Sequence, residues 1–259
     1  MNVVVCVKQV PDTAVERTLR QEDGTLDRLS PDGLINELDE YAIEEALRIT
    51  EAHGGEVTIV SMGPTKASES VRKALSMGAH KAVHLVDDAL AGSDALGTSL
   101  ALSAVLQQTG FDLVICGSES TDARTGMLPA MLAERLGVAQ LTLAAKVDID
   151  GTAVTIRRVS GDGYEVVTAT LPAVVSMVEK SNEPRYPTFK GIMAAKKKPV
   201  TTLTLADLSL SADSTGLAGS ATAVADWAAR PPRATGVIVK DDGDGGSHAA
   251  GFLAEQKFI

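Results

Sequence analysis

The chain has 259 residues, 44% of them apolar, and a formal net charge of −10. This length suffices for one large α/β domain with an extension, and the acidic balance argues against nucleic acid as a partner, because that affinity rests on cations that neutralise phosphates. No apolar run approaches the roughly 20 residues of a membrane helix and no signal peptide is visible, so a soluble, cytoplasmic protein without membrane insertion is expected.

The first half of the chain alternates predicted strands and helices. An apolar run typical of a strand buried on both faces opens it, and the polar residues 13–35 follow as a loop or small hairpin. Predicted strands lie at 3–7, 56–61, 82–86 and 113–116, and predicted helices at 36–52, 68–77, 96–108 and from 127 onward. This alternation predicts a parallel sheet with right-handed crossovers.

The helix predicted at residues 36–52 has the clearest pattern. Asn36 precedes an acidic first turn and is a good N-cap candidate. The apolar positions keep roughly to one face of this helix. On the same pattern, Glu44, Glu45 and Arg48 are expected to face outward.

From about residue 141 the pattern changes, because apolar and polar residues begin to alternate in part. Glycine-containing turns separate the alternating segments, which is typical of hairpins. An antiparallel addition is predicted from segments 146–149, 153–158 and 164–170, closed by a buried strand at 171–178.

The C-terminal part of the chain shows fewer regular signals. Residues 181–199 contain three prolines and a basic run, and a solvated charge patch is the simpler interpretation of Lys196–Lys198. A short helical piece is expected near Ala206, and residues 241–248 look disordered or partner-dependent. The whole pattern predicts an α/β fold, a twisted parallel sheet with flanking helices, an antiparallel addition and an extended C-terminal arm, divided into residues 1–200 and 201–259.

Neither a metal site nor a catalytic constellation is apparent in the sequence. Cys6 and Cys116 each lie in an apolar strand-like run, which is typical of reduced core thiols. No Cys-x-x-Cys or Cys/His cluster is present. His80 and His84 have helical spacing, but His84 falls inside a predicted strand, which disfavours a metal pair.

Residues 112–137 read as a strand, a loop of small residues and a helix. This geometry directs free backbone N–H groups and the positive end of a helix dipole at one spot, which suits a phosphate. The loop has neither the Walker nor the GxGxxG pattern, so an ordinary capped connection is an equal alternative. Because ligands collect at the carboxyl ends of parallel strands, residues 6–10, 62–64 and 117–126 should converge, and 36–39 could join them.

The segment LPAVVSMVEKSNEPRYPTFKGIMAAKKKPV, residues 171–200, closely resembles the signature region of the beta subunit of electron transfer flavoproteins of the bacterial type. The opening VVVCVKQVPD, the helix start NELDEYAIEEAL, the turn VSMGP and the loop GSESTDARTG match the same family. The resemblance covers about residues 1–210 and, more loosely, residues 231–239.

The resemblance implies a subunit of an electron carrier rather than an enzyme. An alpha subunit would hold most of an FAD site, and the heterodimer would relay electrons from dehydrogenases, such as the acyl-CoA dehydrogenases of fatty acid oxidation, to a membrane quinone oxidoreductase. The beta chain would bind AMP structurally. By match to the family's motifs, the AMP site would comprise Cys6, Asn36, Glu37, Leu38, Asp39, Met62, Asp122, Ala123, Arg124, Thr125 and Gly126.

Residues 184–193 match the family's recognition loop, which docks on the partner dehydrogenase. Phe189 corresponds to its central apolar anchor, and the alternative is that Phe189 packs into the chain's own core. Two positions depart from the family: Thr13 stands where many members have a Tyr near the flavin, and Val159 where some have a Glu that tunes mobility. The docking residues would be Tyr186, Phe189, Ile192 and Met193.

Two other functions stay open on the sequence. The first is a flavin-bifurcating member of the same family, in which a second FAD replaces AMP in the beta site. The second is a stand-alone nucleotide-binding sensor that shares the parallel sheet and the phosphate loop. The sensor would not need the proline-containing segment before residue 199 or a long C-terminal arm, so their presence counts against it.

Overall fold

The computed structural model describes residues 1–233, 235–236 and 238–259. The strands are β1 (Asn2–Cys6), β2 (Gln9–Pro11), β3 (Gly33–Ile35), β4 (Glu56–Met62), β5 (Lys81–Leu85), β6 (Leu113–Gly117), β7 (Ala139–Asp150), β8 (Ala153–Ser160), β9 (Gly163–Thr170), β10 (Ala173–Met177) and β11 (Val200–Leu203). The α-helices are α1 (Glu37–His53), α2 (Ser68–Met77), α3 (Ala95–Thr109), α4 (Leu128–Leu136), α5 (Phe189–Ala195), α6 (Gly216–Gly219) and α7 (Gly245–Glu255). The elements predicted for the first half agree closely with these bounds.

A nine-stranded sheet has the order β11-β5-β4-β1-β6-β10-β7-β8-β9. The strands from β11 to β7 in this order pair in parallel, whereas β7–β8 and β8–β9 are antiparallel pairs. The α/β fold with an antiparallel addition is therefore confirmed. Strands β2 and β3 form a separate antiparallel pair. The polar residues between them form a loop with an isolated antiparallel bridge, Leu19–Leu26.

Strand β10 is not where the sequence placed it. It was expected to close the antiparallel addition, but it lies between β6 and β7 and pairs in parallel with both. All five of its residues are buried, as expected for a strand covered on both faces of a parallel sheet. The antiparallel addition is thus a direct extension of the main sheet.

Helices cover both faces of the sheet, and each face has its own apolar core. Val3 and Val5 of β1 pack with residues of α1 and α2, including Ile43. Val4 and Cys6 point to the other face and pack with residues of α3 and α4. This alternation follows from the period of two along a strand, so β1 is buried on both sides.

Two segments expected to lack regular structure contain helices. Residues 181–199 include α5, whose N-cap Thr188 accepts a hydrogen bond from the Gly191 N–H at 3.0 Å. Residues 241–248 overlap α7. The short helical piece near Ala206 is confirmed as a 3-10 helix, Ala206–Leu208.

The chain divides into two compact units, Met1–Ala225 and Asp226–Ile259. The second unit contains α7 and the chain's one tryptophan, Trp227. Residues 234 and 237, within the looser match at 231–239, lie outside the described residues. None of the helices that the structure describes combines the length and apolar character needed to cross a bilayer.

Two carboxylates of α1 do not face outward as expected. Glu44 and Glu45 are both buried, and each accepts a hydrogen bond from residues 182–185. The helical period alone could not reveal this, because the polar side of α1 is covered by a segment far away in sequence. The prediction for these two side chains was therefore wrong.

Candidate functional site

The four segments expected to converge do meet near the carboxyl ends of the central strands. The Val7 N–H, just after β1, donates to the Val60 carbonyl in β4 at 2.8 Å. The Gly63 N–H, just after β4, donates to the Leu85 carbonyl at 3.1 Å. The start of α1 and the loop after β6 complete the group through the side chains described next.

Asn36 joins α1 to the loop after β6. It occupies the N-cap position, as predicted, although its side chain makes no capping bond. Its Nδ2 donates to the Glu119 carbonyl at 3.0 Å and to Asp39 Oδ1 at 2.9 Å, and its Oδ1 accepts from the Thr121 N–H at 3.1 Å. The buried amide therefore fixes the loop relative to the helix.

Asp39 ties the same helix to the end of β1. Its Oδ2 accepts the Lys8 N–H at 2.8 Å. Burial raises the pKa of Asp39 to about 7, although the bonds from Lys8 and Asn36 favour the charged form. A Cβ on Gly117 would lie 2.5 Å from Asp39 Oδ1 and 2.9 Å from the Leu38 carbonyl carbon, so this close approach of helix and strand requires glycine.

Asp122 lies between two cations. Lys8 Nζ is 2.9 Å from Asp122 Oδ1, and Arg28 Nη2 is 2.6 Å from Asp122 Oδ2. The Asp122 side chain is 0% exposed. Burial opposes its ionisation, but the charges of Lys8 and Arg28 hold the pKa of Asp122 well below its ordinary value. The Asp122 carboxylate thus connects the loop after β6 to Lys8, just after β1, and to Arg28, in the loop between β2 and β3.

The sequence pattern did not indicate a site role for Lys8 or Arg28. Lys8 lies within the predicted segment 6–10, but its role depends on Ser120 and Asp122, which its Nζ contacts at 3.1 and 2.9 Å. Arg28 comes from a polar stretch without a regular pattern. A contact between residues so distant in sequence leaves no local signal.

The outer part of the loop is open to solvent. Ala123, Arg124, Thr125 and Gly126 are exposed, and Arg124 and Gly126 have left-handed backbone angles of φ 49° and 63°. Glu37, at the start of α1, is also exposed, whereas Leu38 and Met62 are half-buried and Cys6 is buried.

The residues present fit a phosphate-bearing nucleotide. Lys8 and Arg28 are partly exposed cations, each with a side chain 36% exposed. The buried Thr121 Oγ1 has no hydrogen-bond partner among the described residues. An anion would be stabilised by such cations and by an uncommitted hydroxyl.

The four predicted docking residues lie together on and before α5. Phe189 is 81% exposed and Tyr186 91% exposed, and Ile192 and Met193 are also exposed. The alternative that Phe189 packs into the chain's own core is therefore wrong. In the basic run, Lys196 and Lys197 are exposed as expected, whereas Lys198 Nζ donates to the carbonyls of Leu75, Gly78 and Ala79 at the end of α2.

The pH dependence of stability should carry the signature of Asp39. Its pKa in the folded chain is about 7, above the ordinary 3.8, so the stabilisation is fully present below about pH 4 and is lost as the pH rises through 7. At about 1.4 kcal/mol per pKa unit, the loss reaches up to about 4 kcal/mol. Asp39→Asn should remove this dependence of the free energy of unfolding on pH and should change that free energy by a constant amount at every pH. Urea unfolding between pH 4 and 8 measures both.

The control for this experiment is Glu37→Gln, which removes an exposed carboxylate from the same helical turn. This variant should keep the slope of the unmodified chain. If Asp39→Asn has the same pH dependence of stability as the unmodified chain, Asp39 is ionised throughout the range from pH 4 to 8.

Comparison with known proteins gives one consistent family. Residues 23–208 match the family model described as the electron transfer flavoprotein domain. The chain is 48% identical over 264 residues to an electron transfer flavoprotein subunit beta from Mycobacterium tuberculosis, covering 100% of this chain and 99% of that protein. A protein of the same description from Clostridium acetobutylicum is 37% identical over 260 residues, covering 100% of both chains. Protein FixA from Azorhizobium caulinodans is 38% identical over 233 residues, covering 86% of this chain and 83% of that protein.

Proposed function

The chain belongs to the electron transfer flavoprotein family as a beta subunit of the bacterial type, and on that premise we propose which partners and ligands it serves. It pairs with an alpha subunit, and the heterodimer carries electrons from dehydrogenases, such as acyl-CoA dehydrogenases, toward a membrane quinone oxidoreductase. FAD, held mainly by the alpha subunit, takes up and releases these electrons when bound. This chain contributes binding surfaces and no hydrolytic or transferase site.

AMP is the proposed ligand of the site at the carboxyl ends of the strands. The observation that supports this most is the convergence of Lys8 and Arg28 on the loop after β6. These cations, which the buried Asp122 carboxylate orients, and the exposed loop residues Ala123–Gly126 would hold the phosphate. The edges of Cys6, Leu38 and Met62, with the start of α1 from Asn36 to Asp39, would border the base and sugar.

A structural role for AMP is physically reasonable. A ligand that binds only the folded chain stabilises it in proportion to the logarithm of its concentration over the dissociation constant. The site joins β1, α1 and the loop after β6 through Asn36, Asp39 and Asp122. A ligand there would therefore brace the same segments that these side chains already connect.

Docking on a dehydrogenase is the proposed role of Tyr186, Phe189, Ile192 and Met193. Aromatic side chains dominate the energetic centres of protein interfaces, and these four are exposed on one short stretch. Residues 201–259 are the proposed arm that contacts the alpha subunit. Within the second unit, Phe252, Phe258 and Ile259 are exposed, which suits burial against a partner.

The test is to purify the heterodimer, denature it and identify the released nucleotides by mass and stoichiometry. One FAD and one AMP per heterodimer is the expected result. Two FAD without AMP would replace the AMP proposal with the bifurcating alternative, and NADH would then be the substrate to test. Release of FAD alone would contradict a nucleotide in the beta site.

A further inference from the structure

The stretch from Asn182 to Lys198, here called the docking segment, is fixed to the body of the protein by one arginine above all. Arg185 donates from Nε and Nη2 to the two Glu44 carboxylate oxygens at 2.7 and 3.1 Å. Its backbone N–H also donates to Glu44, at 3.1 Å. Nη1 and Nη2 reach the Glu51 carboxylate at 2.6 and 3.1 Å. One side chain thus bridges two carboxylates of α1.

Glu44 is buried where it contacts Arg185. Its side chain is 5% exposed, and burial opposes its ionisation, yet the hydrogen bonds from Arg185 lower the pKa of Glu44. Buried ion pairs add little net stability, because desolvation offsets the attraction between the charges. The contact between Arg185 and Glu44 is therefore better explained by its effect on the position of the docking segment than by a contribution to the free energy of unfolding.

Further contacts fix the two ends of the docking segment. At the first end, Asn182 Nδ2 donates to the Tyr41 carbonyl at 3.0 Å and to Glu45 Oε2 at 3.1 Å. At the second end, Arg72 Nη1 donates to the Ala195 carbonyl at 2.8 Å, and Lys198 Nζ donates to carbonyls at the end of α2. The exposed apolar side chains lie between these two attachments.

The exposed apolar side chains of the docking segment do not themselves hold its backbone in place. Phe189 and Tyr186 are largely exposed, so the packing of their own side chains contributes little to holding the backbone in place. Charged and polar side chains, together with the buried Ala195 at the end of α5, provide that constraint. Fixing the backbone before association lowers the ordering cost of binding, so the anchor increases affinity without touching the partner.

We propose that Arg185 is a positioning residue, which holds the docking segment in the conformation that a partner protein binds. The proposal rests on the proposed docking function of this segment. It differs from that function because Arg185 itself need not contact the partner. Its substitution should raise the KM for the heterodimer as electron acceptor and leave kcat unchanged.

The experiment compares three variants within the heterodimer. Arg185→Gln removes the anchor, and Arg185→Lys keeps the charge but not the fork that reaches both carboxylates. Arg48→Gln is the matched control, because Arg48 pairs with the same Glu44, at 3.1 Å, but belongs to α1. Hydrogen exchange of the amides of residues 186–194 reports on order, and reduction by an acyl-CoA dehydrogenase gives KM and kcat.

Faster exchange at residues 186–194 and a KM raised about tenfold are expected for Arg185→Gln, with kcat unchanged. Arg185→Lys should fall between it and the unmodified heterodimer, and Arg48→Gln should match the unmodified heterodimer in both measurements. Unchanged exchange in Arg185→Gln would overturn the proposal. Faster exchange with an unchanged KM would also overturn it.

Failure of the docking function itself is distinguishable from failure of this inference. If Phe189→Ala raises the KM but Arg185→Gln does not, docking stands and the positioning role falls. If Phe189→Ala leaves the KM unchanged, the docking function falls and the positioning role for partner binding falls with it. In that second case, hydrogen exchange still establishes whether Arg185 orders the segment.

Discussion

Asp122→Asn should destabilise the protein by about 2–3 kcal/mol. Removing one partner of a buried ion pair typically costs about 3–5 kcal/mol, and the lower value is expected here because Lys8 and Arg28 each remain 36% exposed. The substitution keeps the shape of the side chain but leaves the two cations facing each other without the carboxylate that lies between them. Urea unfolding of the heterodimer at neutral pH measures the loss.

The pH dependence gives this prediction a second measurable part. The pKa of Asp122 is depressed in the folded chain, so its stabilisation is present above the ordinary carboxyl pKa of about 4 and is lost as the pH falls through the folded value. Asp122→Asn should therefore lose most at neutral pH and progressively less in acid. This direction is opposite to that expected for Asp39.

A surface ion pair provides the control for Asp122. Asp148 pairs with Lys146 at 2.7 Å, and both side chains are largely exposed, so Asp148→Asn should cost less than about 1 kcal/mol. If Asp122→Asn costs no more than Asp148→Asn, the ion pairs at Asp122 do not fasten the loop after β6.

The second large effect is expected from Phe189→Ala, which should lower kcat/KM for reduction of the heterodimer by its dehydrogenase about 30-fold. This corresponds to about 2 kcal/mol, typical of an aromatic residue at the centre of an interface. The FAD content should not change, because the Phe189 side chain is 81% exposed. Steady-state kinetics and flavin absorbance of the same preparation measure the two quantities.

Leu29→Ala is the matched control for Phe189, since Leu29 is an apolar side chain with 67% exposure outside the docking segment. Its removal should leave kcat/KM unchanged. Equal rates for Phe189→Ala and the unmodified heterodimer would contradict the docking role, whereas a parallel loss of FAD would point to a folding defect.

The strands and helices of the main sheet were predicted well because each depends on a pattern of neighbouring residues. Strands such as β1 and β6 are continuous apolar runs bounded by polar or glycine residues, and α1 and α2 keep the helical period. The convergence of the site segments followed from topology, since the carboxyl ends of parallel strands share one edge. Asp94 caps α3, with Oδ1 accepting from the Gly97 N–H.

The predictions that failed depend on contacts between distant residues. Glu44 reads as a solvent-facing residue of a helix until Arg185, far along the chain, covers it. Strand β10 follows a hairpin in sequence, yet its buried residues fit only the centre of the sheet. A single sequence does not show which residues far apart in the chain come into contact.

Because of the position of Trp227, tryptophan fluorescence and circular dichroism report on different parts of this protein. It is the chain's one tryptophan, and it belongs to the unit Asp226–Ile259. The three tyrosines, Tyr41, Tyr164 and Tyr186, all belong to the unit Met1–Ala225. Fluorescence excited selectively at tryptophan therefore follows the environment of the C-terminal unit, while far-ultraviolet circular dichroism is dominated by the nine-stranded sheet and its helices. In the isolated chain, changes around the C-terminal unit and unfolding of the sheet can be followed separately without an added label.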